Sequence, residues 1–450
     1  MKKNIFSFLL ILTLLLFTNS VNISTNLYSF NPIEVKNNIG YLSSQHFNGR
    51  LSGTAENVEV EAFIRNQFKN IGLEPFKGSF YDSFEANYPH KLKDTPFLRI
   101  VDKTGAIIKE YNYGLDYKEE MINFKNNYVI FSKNDAISQY DSAIKVNKGT
   151  DSFLFFSHDD SKLNFRSSFM GNENRYQSMY IMLTKEVLSD IKNHISQNRK
   201  IICYIPFDVR KTTLNNVVGY IKGKDSKASP IVICGHFDHL GSDLSGKVYG
   251  GALDNASGIS FVLEFAKYIK SLGVPDRDII IAAFNAEEFG CLGSNHFAEK
   301  YKEDLQGAKI YNFDMIGSSK VPLSIMGAKA DSEKTDFIRS VTSSFKKSKV
   351  SFNYIFEDAS DHEAFRKRNI DAVTFCHSDM SKIHTPEDTA ENISTNAIAN
   401  TFSVASKEVI KYAYSSNPSL VHYKKIFMLS IVAGYLLSTI YIIQIKNKYK

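Results

Sequence analysis

The stretch from residue 231 to residue 241, IVICGHFDHLG, decides the fold class. Its apolar, mostly β-branched start predicts a buried strand, and polar residues follow that strand at once. The same order recurs in IIIAAFNAEE (279–288), KIYNFD (309–314) and AVTFCHSD (372–379). Each of these stretches is therefore predicted to be a strand that ends in chemically useful side chains.

Helical periodicity fills the segments between these strands. Apolar residues recur at helical spacing from Ile259 to Ile269 and again from Phe337 to Phe345. Beyond about residue 215, strand and helix alternate, which predicts an α/β fold with a mixed, mainly parallel sheet flanked by helices. Upstream, a further helix is predicted between a capping Thr54 and a terminating Gly72.

The segment from residue 77 to residue 205 has a different pattern. Short β-type runs alternate with turns rich in Asp, Asn, Lys and Gly, with one helix predicted over 185–197. This predicts a mostly β lobe inserted into a larger α/β domain made of residues 32–76 and 206–415. The lobe carries no recognisable cluster of chemically useful residues.

Composition excludes several classes of protein. The 450 residues are 43% hydrophobic and 23% charged, which suits a folded core rather than a disordered chain. The net charge of +6 forms no basic stripe, so nucleic acid is not an expected partner. The four cysteines are scattered within or beside apolar runs, which predicts buried thiols rather than disulfides.

The N-terminus has the order of a secretory signal peptide. Lys2 and Lys3 precede an apolar run over 5–17, and small or polar residues follow at 18–20. This predicts a signal peptide over residues 1–20, cleaved after Ser20. An uncleaved anchor is the alternative, because Thr18 and Ser20 form a weaker cleavage site than two alanines.

The C-terminus carries a candidate transmembrane helix over residues 426–445. It contains no charged residue and is long enough to cross a bilayer. Lys446, Lys448 and Lys450 follow it, which favours a cytoplasmic C-terminus, although Lys424 and Lys425 weaken the asymmetry. We therefore expect an exported protein at the cell surface, with the body of the protein outside on a single C-terminal anchor. A buried core helix is less consistent with this stretch, which has no polar face.

Candidate metal ligands gather where ligands bind in open α/β sheets, beyond the carboxyl ends of the strands. Imidazoles and carboxylates without thiolates suit zinc or a similar divalent ion. Taken alone, His236 is an ordinary histidine, Asp254 a helix cap and Glu287-Glu288 a solvated pair. Together they would place like charges in one crevice, which is costly unless a cation compensates them.

The motifs resemble those of the aminopeptidase Y family of co-catalytic zinc peptidases, which includes aminopeptidase S-type enzymes and glutamate carboxypeptidase relatives. They occur in the family's order: GHFDHLG (235–241), GALDNASG (251–258), AEEFG (286–290), NFDMIG (312–317), SDH (360–362) and HTPED (384–388). The resemblance implies a zinc-exopeptidase fold of the phosphorylase/hydrolase type. By its position, the inserted lobe resembles the family's protease-associated insert, which usually borders the cleft.

The resemblance also implies a role for each matching residue. It assigns one zinc to His236 and Asp314, the other to Glu288 and His384, and the bridging position to Asp254. Glu287 becomes the general base, and Asp238 orients His236. Two Zn²⁺ ions are expected, and one site accepts Mn²⁺ or Co²⁺ as an alternative.

Other polar residues near the motifs are expected to have structural or supporting roles. His239 and His377 are expected to be structural or to support the ligands, since the ligand set is complete without them. Ser360 and Glu363 fit a capping box, and a metal role for His362 is a minority interpretation.

The expected activity is hydrolysis of the N-terminal bond of extracellular peptides by a zinc metallo-aminopeptidase. Peptides and, through the C-terminal helix, a membrane are the predicted partners. A carboxypeptidase would want a basic pocket, for which Arg366 and Arg368 are the candidates beside a motif. A glutaminyl cyclase-type enzyme of a related fold is a further alternative, but such an enzyme uses one zinc. From another class of protein, the alternative is a catalytically silent surface binding module.

Overall fold

The computed structural model describes residues 2–157, 163–171 and 177–448, with side chains from residue 5 to residue 446 within these ranges. The sequence predictions that involve Met1 and Lys450 lie outside the described residues, as do the side chains of Lys2, Lys3 and Lys448.

The helices and strands have the following bounds. The helices are α1 (Lys2–Asn26), α2 (Pro32–Leu42), α3 (Ala55–Ile71), α4 (Lys185–Ser196), α5 (Ser257–Ser271), α6 (Leu292–Lys300), α7 (Asp336–Ser348), α8 (His362–Arg366), α9 (Thr395–Ala413) and α10 (Pro418–Lys448). The strands are β1 (Glu74–Pro75), β2 (Tyr81–Lys91), β3 (Phe97–Val101), β4 (Ile107–Tyr111), β5 (Tyr117–Phe124), β6 (Tyr128–Phe131), β7 (Ala136–Tyr140), β8 (Ala143–Lys148), β9 (Asp151–Ser157), β10 (Met179–Leu183), β11 (Lys200–Tyr204), β12 (Phe207–Ile221), β13 (Ile231–His236), β14 (Ile279–Phe284), β15 (Lys309–Phe313), β16 (Leu323–Gly327), β17 (Phe352–Phe356) and β18 (Asp371–Cys376).

A mixed sheet forms the centre of the fold. Its strand order is β1-β12-β14-β13-β15-β18-β16-β17, and β2 also pairs with β12. The central strands β14, β13, β15 and β18 are parallel to one another, so their carboxyl ends meet at one edge. The fold class predicted from the alternation of strands and helices is confirmed.

Both faces of the central sheet are buried, as the continuous apolar strands require. In β13, Ile231 and Ile233 point into a core shared with α2, α3, α5, α7 and α9. Val232 and Cys234 point the other way, into a smaller core with α6 and α8. Helix α3 has the predicted ends, because Thr54 caps it and Gly72 terminates it with a φ of 81°.

The inserted segment folds into two further sheets, with orders β5-β10-β9-β8-β7 and β4-β3-β11-β6. Strand β2 pairs with β12 along its whole length, from Tyr81 opposite Val217 to Lys91 opposite Phe207. This long ribbon belongs to the central sheet and also leads into the lobe. The predicted lobe, residues 77–205, therefore begins with a strand that belongs to the central sheet.

The terminal helices and the cysteines match the sequence pattern. Residues 5–26 and 418–446 are each apolar and long enough to cross a membrane, and little of either is buried. The four cysteines are free and buried, as predicted.

A buried arginine donates hydrogen bonds to several backbone segments at the carboxyl edge of the sheet. The Arg50 guanidinium is fully buried and donates to four backbone carbonyls, at 2.6–3.0 Å. The acceptors are Leu42, Phe237, Gly250 and Gly251. Burial lowers the pKa of Arg50 to about 10, so the group stays charged at neutral pH.

Replacing this arginine should destabilise the protein strongly. Arg50→Met keeps the length of the side chain but removes every donor, so we expect the free energy of unfolding to fall by at least about 3 kcal/mol. Urea unfolding of the detergent-solubilised protein measures this. In the control, Arg339→Met changes an exposed arginine paired only with exposed Asp336 and should cost less than about 0.5 kcal/mol. Equal losses in the two variants would contradict this role for Arg50.

Candidate metal centre

The carboxyl edge of the central sheet brings the predicted ligands together. His236 ends β13, Glu288 lies in the turn after β14, and Asp314 follows β15. Asp254 lies in the turn before α5, and His384 follows β18. These side chains come from five separate segments, so only the fold makes them neighbours.

Asp254 lies in the middle of the cluster. His236, Asp254 and Asp314 form one group whose ligand atoms all lie within 4.8 Å of one another, and His239, Asp254 and Glu288 form a second. The two carboxylate oxygens of Asp254 face different imidazoles. Oδ1 lies 3.5 Å from His236 Nε2, and Oδ2 lies 3.3 Å from His384 Nε2.

Two imidazoles contact Glu288 of the second group: His239, which belongs to the group, and His384, which lies beside it. His384 Nε2 lies 3.4 Å from Glu288 Oε2, as expected for a pair of ligands. His239 is fully buried, and its Nδ1 lies 2.9 Å from the other oxygen of Glu288. His239 therefore supports Glu288 by direct contact, and it also lies 3.9 Å from Asp254.

The cluster fits a divalent cation. His236 Nε2 and Asp314 Oδ1, which lie 3.5 Å apart, are buried and have no hydrogen-bond partner among the described residues. Buried polar atoms without partners are rare and costly, and a metal ion would satisfy them. Imidazole nitrogens with carboxylate oxygens are a typical donor set for zinc.

Crowded carboxylates shift the proton affinities of the cluster. Burial raises the pKa of Glu287 well above its usual value; the nearby His236 opposes this shift, and the Glu288 and Asp361 carboxylates reinforce it. Burial also raises the pKa of Asp361 to about 7. Burial lowers the pKa of His384, but the carboxylates of Glu288 and Asp254 outweigh burial and raise this pKa to about 9.

Asp238 links the first strand end to the glutamate pair. Its carboxylate accepts the backbone N–H groups of Glu287 and Glu288 at 3.1 and 3.2 Å. Its Oδ1 lies 3.5 Å from His236 Nδ1. Asp238 is therefore placed to orient a histidine ligand and the glutamate turn at once.

Two further residues hold the ligands, and the sequence analysis assigned neither to this task. The Asp388 carboxylate accepts the N–H groups of Leu253 and Asp254. The Ser360 hydroxyl donates to Asp314 Oδ2 at 2.7 Å and makes no capping bond to α8, so the predicted capping box is wrong.

The other candidates have structural partners. The two ring nitrogens of His362 bond to Glu357 O and to Thr374, and His377 Nδ1 accepts the N–H of Gly317. Arg366 pairs with Asp331, and Arg368 pairs with Glu299. These arginines are therefore committed to carboxylates of the protein itself.

The inserted lobe reaches into the centre, contrary to the expectation that it carries no useful chemistry. We call residues 163–171 the strap. The Ser168 hydroxyl donates to Glu288 Oε2 at 2.6 Å, and Phe165 stacks on the His384 ring with centroids 5.8 Å apart. Backbone N–H groups of Arg166 and Phe169 also donate to the carbonyls of His384 and Glu288.

Comparison with known families agrees with this geometry. A profile of peptidase family M28 matches residues 216–409, which contain every predicted ligand. Residues 216–409 are thus similar to peptidase family M28. The resemblance predicted from the motifs is thereby confirmed, and so is a zinc metallopeptidase as the class of enzyme.

Curated relatives of this chain include aminopeptidase YwaD of Bacillus subtilis, which is 25% identical over 392 residues, 81% of each chain. A probable zinc metalloprotease of Pyrenophora teres f. teres is 36% identical over 120 residues, 26% of this chain and 25% of its own. Among solved structures, an aminopeptidase from Aneurinibacillus sp. strain AM-1 has a TM-score of 0.60 at 19% identity. That match covers 85% of this chain and 94% of the other.

Removing the Asp238 carboxylate should loosen the metal centre. In Asp238→Asn the amide cannot accept two N–H groups and support His236 equally, so we expect zinc affinity to fall about 10- to 100-fold. Competition of the purified protein with a fluorescent chelator measures this affinity. The matched control is Asp379→Asn, because Asp379 also follows a strand end but bonds to Ser318 and Ser381. Unchanged affinity in Asp238→Asn would refute the assigned role.

Proposed function

We propose that this protein is a two-zinc aminopeptidase that removes N-terminal residues from peptides outside the cell. The observation that carries the proposal is the convergence of five candidate ligands with Glu287 at the carboxyl edge of an M28 domain. His236 and Asp314 would hold one ion, Glu288 and His384 the other, and Asp254 both. The shared position of Asp254 between two ligand groups supports the count of two ions.

Bound zinc would supply a Lewis acid that polarises the scissile carbonyl and lowers the pKa of an attacking water. Glu287 acts as the general base. Its carboxylate lies 3.9 Å from His236 Nε2 but is not part of either ligand group, and its side chain is 15% exposed. It takes the proton of the attacking water and delivers it to the leaving amine.

Glu288, the next residue, faces the opposite half of the cluster, toward His239 and His384. The tight turn over Glu287–Phe289 separates the directions of the two adjacent side chains. One carboxylate can therefore serve as a ligand and its neighbour as a base.

The charges around the centre favour an N-terminal over a C-terminal substrate group. A carboxypeptidase needs a free cation to bind the substrate carboxylate. Arg366 and Arg368 are paired with acids, and the Arg166 side chain is fully buried 3.7 Å from Glu119. The carboxylates of the cluster instead suit a substrate ammonium group. The aminopeptidase among the curated relatives spans most of this chain and supports the same choice.

Export and membrane anchoring complete the proposal. The apolar N-terminal helix and the apolar C-terminal helix would carry the catalytic domain across the membrane and hold it at the outer surface. Peptides outside the cell would then be the accessible substrates.

Peptides that differ only in their N-terminus test the function. The protein should release the first residue of a free peptide and leave the N-acetylated peptide and its C-terminal residue intact. Activity should disappear with a chelator and return with zinc, and elemental analysis should find two ions per chain. C-terminal trimming, or full activity with one ion, would overturn the proposal.

Variants of the adjacent glutamates test the assignment of base and ligand. Glu287→Gln should keep both ions and lower turnover by roughly two to four orders of magnitude, because it removes a positioned base at almost constant volume. Glu288→Gln should lose zinc from one site as well as activity. If Glu287→Gln loses a metal and Glu288→Gln keeps both, the assignment is reversed.

A further inference from the structure

The two terminal helices pack against each other. Phe6 stacks on Tyr441 with ring centroids 6.0 Å apart, and Phe17 stacks on Phe427 at 5.4 Å. Between these pairs, a Cβ atom added to Gly434 would lie 3.9 Å from Thr13 Cγ2. Residue numbers rise along α1 as their partners fall along α10, so the helices are antiparallel.

Small residues also lie in the contact, beside the aromatic pairs, while leucines face away. Ser20 is 1% exposed and Ser430 is 6% exposed; their hydroxyls bond to carbonyls of their own helices. Ser430, Gly434 and Ser438 recur every fourth residue, a spacing that lets helices approach closely in membranes. Leucines such as Leu14 and Leu429 are 60% and 68% exposed on the outer surface, where lipid would cover them.

Both helices leave the catalytic domain at the same place. Tyr28, just after α1, donates its N–H to Ser271 Oγ at 3.0 Å and its hydroxyl to Glu264 at 2.7 Å, both on α5. Phe30 stacks on Phe402 of α9 with centroids 4.2 Å apart. Leu420, near the start of α10, is buried in the same core.

We infer that α1 is retained in the mature protein and forms with α10 a two-helix transmembrane hairpin. Helix α1 continues without a break through Ser20, the predicted cleavage position, to Asn26. Cleavage there would remove every α1 residue named above in a contact with α10. The inference goes beyond the peptidase activity and does not depend on it.

The distribution of charge fits this hairpin. In an antiparallel pair, Lys2 and Lys3 lie at the same end as Lys446 and Lys448, the end remote from the catalytic domain. The positive-inside tendency places that end in the cytoplasm and the domain outside. Residues 5–26 contain no charged side chain, and 22 helical residues span about 33 Å, enough for the hydrocarbon core.

The hairpin also determines where the metal centre lies relative to the membrane. The centre adjoins the N-terminal end of α5, whereas the N–H of Tyr28, just after α1, bonds to Ser271 at the C-terminal end of that helix. A helix of 15 residues is about 22 Å long, so the centre lies well away from the attachment of the hairpin.

Cysteine crosslinking in native membranes tests both retention and pairing. In the full-length chain, Thr13→Cys with Gly434→Cys should form an intramolecular disulfide on mild oxidation, because a Cβ at Gly434 meets Thr13 at contact distance. Cyanogen bromide cuts after Met121 and Met428, so a disulfide would hold fragments 2–121 and 429–450 together. The control pair, Leu14→Cys with Gly434→Cys, places one cysteine on the exposed face and should give no link. The four native cysteines are buried.

Before cyanogen bromide treatment, the oxidised chain should migrate as a monomer. N-terminal sequencing should find that the mature protein begins within the first residues of the sequence. After cyanogen bromide treatment, the two fragments should stay joined only for the Thr13–Gly434 pair. A mature protein that begins near Val21 overturns retention. Retained helices that link equally in both pairs, or in neither, overturn the hairpin.

Discussion

Mutual repulsion of buried carboxylates is the constraint on which the catalytic half of this protein depends. Asp238, Asp254, Glu288, Asp314 and Asp361 are all buried at one edge of the sheet. Such a concentration of negative charge is unfavourable in a folded chain unless cations and hydrogen-bond donors compensate it. Beside them lies His236, whose Nε2 has no hydrogen-bond partner in the described part of the chain, and imidazoles with carboxylates form a donor set suited to zinc.

The scaffold around the cluster meets this constraint by holding three of the candidate ligands, Glu288, Asp254 and Asp314, from different directions. Asp238 holds the glutamate turn, Asp388 holds the backbone of Asp254, and Ser360 holds the Asp314 carboxylate. Arg50 binds the carbonyls of the loops that carry His236 and Asp254, so one buried cation positions two ligand-bearing segments. Ligands held in this way need little rearrangement when an ion binds.

The inserted lobe is part of this arrangement rather than an appendage. Its strap contacts both residues proposed for the second ion, through Ser168 on Glu288 and Phe165 on His384. The β2–β12 ribbon joins the lobe to the central sheet, so the lobe is built onto the same frame as the ligands. Tyr28, just after α1, bonds to Ser271 at the end of α5 remote from the centre, which leaves the centre free of the proposed membrane anchor.

The sequence by itself predicted the strands, the periodic helices and the candidate ligands that the fold brings together. Buried parallel strands need continuous apolar runs, and the polar residues that end them stand out for that reason. It also gave the buried cysteines and both apolar termini, because these follow from local composition.

Only the tertiary structure decided which distant groups touch. The contact of Ser168 with Glu288 joins residues 120 positions apart, and that of Arg50 with Phe237 joins residues 187 positions apart. No local sequence pattern predicts either contact. The same holds for the pairing of Arg366 with Asp331 and for the contact of His239 with Glu288. Serine, arginine and histidine are common residues whose roles depend on the neighbours that chain folding supplies, and no local pattern records those neighbours.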